Sequence, residues 1–184
     1  MSPTALLPDQ AMRESICAKV ERSSVRLAQT SIGAISSKER YSVKIAHPTE
    51  QEEWKNNVEP ILPSDFEVLG EITLEEKVSL LRRAKAVLFP IDWPEPFGLV
   101  MTEAMACGTP VIATPRGSVP EVVEDGVTGW IVDVEDYPAQ AADRLTRLSE
   151  IDPLACRDRV QRLFSKEAMV AGYEGAFERA ASAS

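Results

Sequence analysis

Five short apolar runs set the frame of this chain: VKIA at 43–46, FEVLG at 66–70, AVLFP at 86–90, PVIAT at 110–114 and GWIVD at 129–133. Runs of this length, rich in β-branched residues and separated by segments of helical period, read as strands. Strands that alternate with helices are joined by crossovers rather than hairpins. The pattern therefore predicts an α/β fold, a parallel sheet with helices on both faces. Start signals mark the helices. Thr73 with Glu76 and Ser118 with Glu121 have capping-box spacing, before LLRRAKA and VVED respectively, and Gly126 is the expected stop of the second. Asp136 before Pro138, and Asp152 before Pro153, predict two further starts. Ser165 is a candidate cap for a last helix whose Met169, Tyr173, Ala176 and Phe177 share one face.

Bulk properties narrow the function classes. A chain of 184 residues with 44% hydrophobic content is enough for one domain with a true core. No run approaches the ~18 apolar residues of a membrane span, and the opening MSPTALLPDQAMRE lacks signal-peptide character. The expectation is a soluble, cytoplasmic protein with no integral membrane segment. A net charge of −9 argues against nucleic acid as a partner. Cys17, Cys107 and Cys156 are odd in number and widely spaced, so neither a disulfide framework nor a zinc site is expected. His47 is the only histidine; it follows the first run, where an imidazole could act as a general base, and a lone histidine without partners makes no metal site. No metal and no cofactor are expected.

The chemistry concentrates between Pro90 and Asp133, PIDWPEPFGLVMTEAMACGTPVIATPRGSVPEVVEDGVTGWIVD. Here a strand ends in a proline-rich loop and a helix opens at Gly98. Ligands bind at such strand ends in open α/β sheets. Gly98 permits close approach to the backbone, and the unpaired amides of a first helical turn favour a phosphate. The end of AVLFP and the start of this helix are expected to form the deepest polar cleft. Glu95 precedes the helix and Glu103 lies within it, with seven residues between them. Ionised carboxylates are acceptor-only groups suited to sugar and ribose hydroxyls. By spacing alone the plainer reading, two solvated helix-end acids, is the favoured one.

The whole block resembles glycosyltransferase family 4 (group 1), retaining enzymes of the two-domain GT-B architecture. The resemblance runs from about Val43 to Phe177 and is carried by E-x7-E (Glu95 to Glu103), EAMACGTPVIAT and GSVPEVVEDGVTGWIVD. It implies that residues 41–184 are a Rossmann-like nucleotide-sugar-binding domain, the C-terminal half of that architecture. It implies that Glu95, the candidate catalytic residue, lies by the donor sugar. Glu103 would bind the ribose, the amides of Phe97, Gly98 and Leu99 would meet sugar and diphosphate, and Gly70, Glu71 and Ile72 would lie against the base. The donor would be a nucleotide diphosphate sugar; the acceptor is not specified.

Other residues are given structural readings. Gly108, Thr109, Pro110, Gly117 and Ser118 read as turn and cap residues, and Arg116 as a surface charge rather than a phosphate contact. Trp93 either lines the sugar pocket or packs the loop. Residues 1–40 are left unassigned, as a diverged or truncated start. SIGAISSKER, with Lys38 and Arg40, departs too far from the family's basic diphosphate loop to take over its role. No N-terminal acceptor domain is recognisable, so the isolated chain is expected to be incomplete as a transferase. The alternative is a noncatalytic remnant, a nucleotide-binding or interaction module.

Overall fold

The computed structural model describes residues 33–37, 41–45, 52–57, 59–61 and 66–182. In chain order these form β1 (Gly33–Ser37), β2 (Tyr41–Ile45), α1 (Glu52–Asn57), a 3-10 turn (Glu59–Ile61), β3 (Phe66–Val68), α2 (Leu74–Arg83) and β4 (Val87–Phe89). There follow α3 (Leu99–Ala106), β5 (Val111–Ala113), α4 (Val119–Val122), β6 (Gly129–Ile131), α5 (Tyr137–Thr146), a second 3-10 turn (Leu148–Glu150), α6 (Pro153–Leu163) and α7 (Lys166–Ser182). His47, Lys38, Arg40 and Cys17 lie outside the described residues.

Each of the five apolar runs carries a strand, and all belong to one sheet of order β3-β2-β1-β4-β5-β6. β2 and β3 pair in parallel, as do β4, β5 and β6, with Val87 opposite Val111 and Ile112 opposite Trp130. The α/β fold is the one expected. β1, from the unassigned start, joins the two parallel groups and runs antiparallel to both neighbours, Ile35 opposite Val43 and Ala34 opposite Val87. GAISS lacks the apolar run that marks the other strands, so periodicity does not announce it.

β5 lies between β4 and β6, and Val111, Ile112 and Ala113 are all buried although successive side chains point to opposite faces. Both faces of the sheet are thus covered there, as a parallel sheet requires. Met101, Ala104 and Met105 from α3, and Leu80 and Leu81 from α2, supply buried side chains to the same core. The i, i+3, i+4 spacing in α3 is one helix face. Tyr137 adds a polar tie: its hydroxyl donates to the carbonyl of Ile112 at 2.8 Å.

The caps divide. Thr73 and Glu76 form the full capping box, the Glu76 amide donating to Thr73 Oγ1 at 3.3 Å and the Thr73 amide to Glu76 Oε2 at 2.8 Å. The Thr73 amide and hydroxyl hold the Glu76 carboxyl below its usual range. A depressed folded-state value means that this contribution is present above the ordinary carboxylate range and is lost as pH falls through the depressed value. Thr73→Ala is expected to cost about 1 kcal/mol, read from the shift in denaturation midpoint at neutral pH. Asp152 and Ser165 also cap, accepting from the amides of Leu154 and Ala168. Ser118 does not. Its backbone is already helical (φ −76°, ψ −8°), so its side chain is turned away from the amides it would cap, and its hydroxyl is buried without a partner. Nor does Gly126 end that helix: α4 stops at Val122, and Gly126 (φ 74°) serves the next turn, donating to the Gly129 carbonyl at 2.8 Å. Asp136 precedes α5 without a side-chain cap. Met169, Tyr173 and Phe177 do share a face of α7, with the last two rings stacked at 6.3 Å, but that face is exposed.

Candidate functional site

The site is built from prolines. Three times, an amide bonds the carbonyl two residues earlier with a proline between: Ile91 to Phe89 across Pro90 (3.0 Å), Glu95 to Trp93 across Pro94 (2.9 Å), and Arg116 to Thr114 across Pro115 (2.8 Å). This is the bonding of a γ-turn, whose common inverse form needs a central φ near the value that a proline ring imposes. The turns follow the ends of β4 and β5 and make both loops tight.

The two loops are clamped together. The Ser118 amide donates to the Glu95 carbonyl at 2.9 Å. Gly117 (φ 53°) packs so closely that a Cβ there would stand 2.3 Å from the Glu95 carbonyl oxygen and 2.4 Å from its nitrogen. Thr114, at the end of β5, donates its hydroxyl to the carbonyl of Ile91. The glycine of TPRGS looks locally like a turn residue, and only the fold shows that it serves the loop carrying Glu95.

Glu95 is 7% exposed. Its Oε1 accepts the Gly98 amide at 3.2 Å and its Oε2 accepts the Trp93 indole N–H at 3.0 Å. Gly98 stands at the N-cap of α3 in the left-handed region, φ 70° and ψ 67°. Its amide is therefore turned to Glu95, and the unpaired amides of the first turn are those of Leu99 and Val100, which have no intrahelical acceptor. The Leu99 side chain is exposed, and Phe97 is partly covered by Phe164 in an edge-on contact of 5.8 Å between ring centres.

Glu103 lies one turn into α3 and is ion-paired to Lys77 of α2, Nζ to Oε1 at 2.6 Å, with both side chains about one-third exposed (28% and 34%). Lys77 is missed by sequence reasoning, because nothing local marks a lysine that meets a partner 26 positions away. The pair ties α3 to the helix that follows Gly70, Glu71 and Ile72. Those three residues follow β3, with Gly70 at φ 67°, Glu71 exposed and Ile72 packed at the core margin. Arg116 is paired to Asp92 at 3.2 Å on the surface.

Around Glu95 the Gly117 backbone and the Trp93 indole are in direct contact with the acid. Among the described residues, one surface concavity is lined by Leu74, Val78 and Arg82 of α2 and another by Arg157 and Val160 of α6, and neither includes Glu95 or Glu103. Burial pushes the Cys156 thiol up to about 11. Burial also raises Cys107, partly offset by Arg82 and Arg157. No described helix is long and apolar enough to cross a membrane.

Comparison with known proteins follows the same block. D-inositol 3-phosphate glycosyltransferase of Corynebacterium jeikeium is 46% identical over 80 residues, 44% of this chain and 19% of that protein. N-acetyl-alpha-D-glucosaminyl L-malate synthase of Bacillus anthracis is 34% identical over 106 residues, 54% of this chain and 28% of that protein. The aligned segments thus span well under a third of these relatives. Among solved structures, a glycosyltransferase from Rickettsia africae superposes with a TM-score of 0.64 at 20% identity, covering 74% of this chain and 39% of that one. Anabaena Alr3699/HepE, solved in complex with UDP, superposes at 0.59 and 18% identity, covering 95% and 45%. The fold is that of GT-B glycosyltransferases. The model of the family described as glycosyl transferases group 1 matches residues 36–162, most of the chain, and the protein belongs to that family.

Proposed function

We propose that this chain forms the donor side of a retaining family 4 glycosyltransferase, holding a nucleotide diphosphate sugar whose sugar passes to an acceptor of a class that the chain does not specify. The observation that carries this is the placement of two carboxylates on one helix start. Glu95 is buried beneath the loop with its oxygens oriented by two N–H donors, and Glu103 stands one turn further on, held by Lys77. A carboxylate oxygen that accepts one N–H retains a lone pair for a ligand hydroxyl. Glu95 faces the sugar and Glu103 the ribose diol. Gly98 serves the packing beneath the site, an added Cβ standing 2.6 Å from Met101 Cε, and its own amide is committed to Glu95. The backbone from Phe97 through Leu99 lies along sugar and diphosphate, with the open amides of Leu99 and Val100 serving the phosphates. Gly70, Glu71 and Ile72 lie against the base.

In the reaction, the bond between the anomeric carbon and the diphosphate oxygen breaks and the acceptor oxygen bonds the same face of that carbon. The acceptor proton passes to the departing diphosphate. Glu95 orients the sugar for this exchange.

Among the described residues no group of three or more His, Cys, Asp or Glu side chains stands together to hold a metal. Calorimetry with UDP, GDP and ADP, with and without chelator, is the test. Binding of one of them, unchanged by chelator, is expected. Binding abolished by chelator would overturn the amide-based diphosphate site, and no binding at millimolar ligand would favour a noncatalytic module.

A further inference from the structure

Trp93 is the one aromatic side chain that hydrogen-bonds a candidate site acid among the described residues. It is partly buried against the core and stands two positions before Glu95. The γ-turn across Pro94 brings the two backbones within a single hydrogen bond, Glu95 amide to Trp93 carbonyl at 2.9 Å. With that separation set, the indole N–H meets Glu95 Oε2 at 3.0 Å. An indole is a donor only, so its acceptor must be a lone pair, and an ionised carboxylate strengthens the bond. The Gly98 amide takes the other oxygen at 3.2 Å. The Glu95 backbone is fixed as well, because its carbonyl accepts from Ser118 and its flank is closed by Gly117. A carboxylate held at both oxygens on a fixed backbone has one orientation to present.

We infer that Trp93 is a positioning residue of the donor site, its indole N–H holding the Glu95 carboxylate in the orientation that receives the hydroxyls of the donor sugar. The inference rests on the proposed role of Glu95 beside the sugar. Losing the indole donor releases one oxygen, and the carboxylate then rotates about its last torsion. Nucleotide contacts on Glu103 and the first-turn amides are untouched by that rotation.

Trp93→Phe separates this role from loop packing, since it keeps an aromatic ring and removes the donor. The chain has three tryptophans, Trp54, Trp93 and Trp130, so the loss of one indole signal from the proton–nitrogen correlation spectrum of W93F identifies Trp93. Three results are expected. Glu95→Gln moves the Trp93 indole signal, the charged acceptor having become neutral. In wild type, the glucose conjugate of whichever of UDP, GDP or ADP binds is held more tightly than the bare diphosphate. In W93F the conjugate loses about tenfold in Kd, which is about 1.4 kcal/mol, while the bare diphosphate changes less than about twofold. An indole signal indifferent to E95Q overturns the inference, as does W93F losing both ligands equally or retaining full sugar discrimination; in each of these cases the donor site itself stands. If no nucleotide binds the folded wild type, or the conjugate binds no better than the bare diphosphate, the reading of Glu95 as the sugar-side acid fails and the inference falls with it.

Discussion

Gly117→Ala is expected to destabilise the protein by about 3 kcal/mol, the sum of roughly 1–2 for an alanine in the left-handed region and roughly 1–3 for overpacking. The first contribution follows from φ 53° and the second from a Cβ that would come 2.3 Å from the Glu95 carbonyl oxygen and 2.4 Å from its nitrogen. Backbone atoms cannot swing aside as a flexible side chain does, so the two loops must part. The bond from the Ser118 amide to Glu95 is then lost, and Glu95 moves. Gly126→Ala is the matched control, because Gly126 has a comparable φ of 74° with nothing within 4 Å of its added Cβ. Its cost should be limited to the left-handed conformation, about 1–2 kcal/mol. Urea denaturation with unchanged slope measures both. Equal losses in the two variants would mean that contact with the Glu95 loop is not what Gly117 serves. In the Gly117 variant the preference for a sugar-bearing nucleotide should also be lost.

Glu103→Gln and Glu95→Gln are expected to differ in which ligand they weaken. Glu103→Gln removes the ionised acceptor proposed for the ribose hydroxyls, and hydrogen bonds to charged groups contribute on the order of 1.5–3 kcal/mol. Bare nucleotide and nucleotide sugar should therefore both weaken by roughly ten- to a hundredfold. Glu95→Gln should spare the bare diphosphate and reduce only the preference for the sugar-bearing donor. Glu103→Gln also deprives Lys77 of its charged partner, but exposed pairs contribute about 0–1 kcal/mol, so the fold should survive; circular dichroism and the denaturation midpoint check this before binding is measured. Dissociation constants for both ligands with wild type and both variants decide the matter. Losses of the same size for both ligands in both variants would sink the division of roles.

What was legible in the sequence was what depends on neighbours in the chain. Apolar runs of strand length located β2 to β6, and Thr73 with Glu76, Asp152 and Ser165 marked helix starts, because a cap bonds within a few residues of itself. The block from Glu95 to Glu103 was recognisable as a unit for the same reason: loop, left-handed glycine and first helical turn are consecutive. Local spacing also misled. Ser118 with Glu121 has the capping pattern, but the Ser118 amide is tied to the Glu95 carbonyl and its backbone is already helical, so the serine does not cap.

Only the tertiary structure decided how distant pieces meet. β1 has no apolar signature, and its antiparallel place between β2 and β4 comes from hydrogen-bonding edges that those strands leave open to it. Lys77 reaches Glu103 because α2 packs on α3, and Gly117 touches Glu95 because β5 lies beside β4 in parallel, bringing the loops after both strands to the same edge. Residue type and short-range spacing therefore located β2 to β6 and singled out Glu95 and Glu103. The partners that orient those acids across the fold followed from strand order and helix packing, which are long-range contacts that no local pattern encodes.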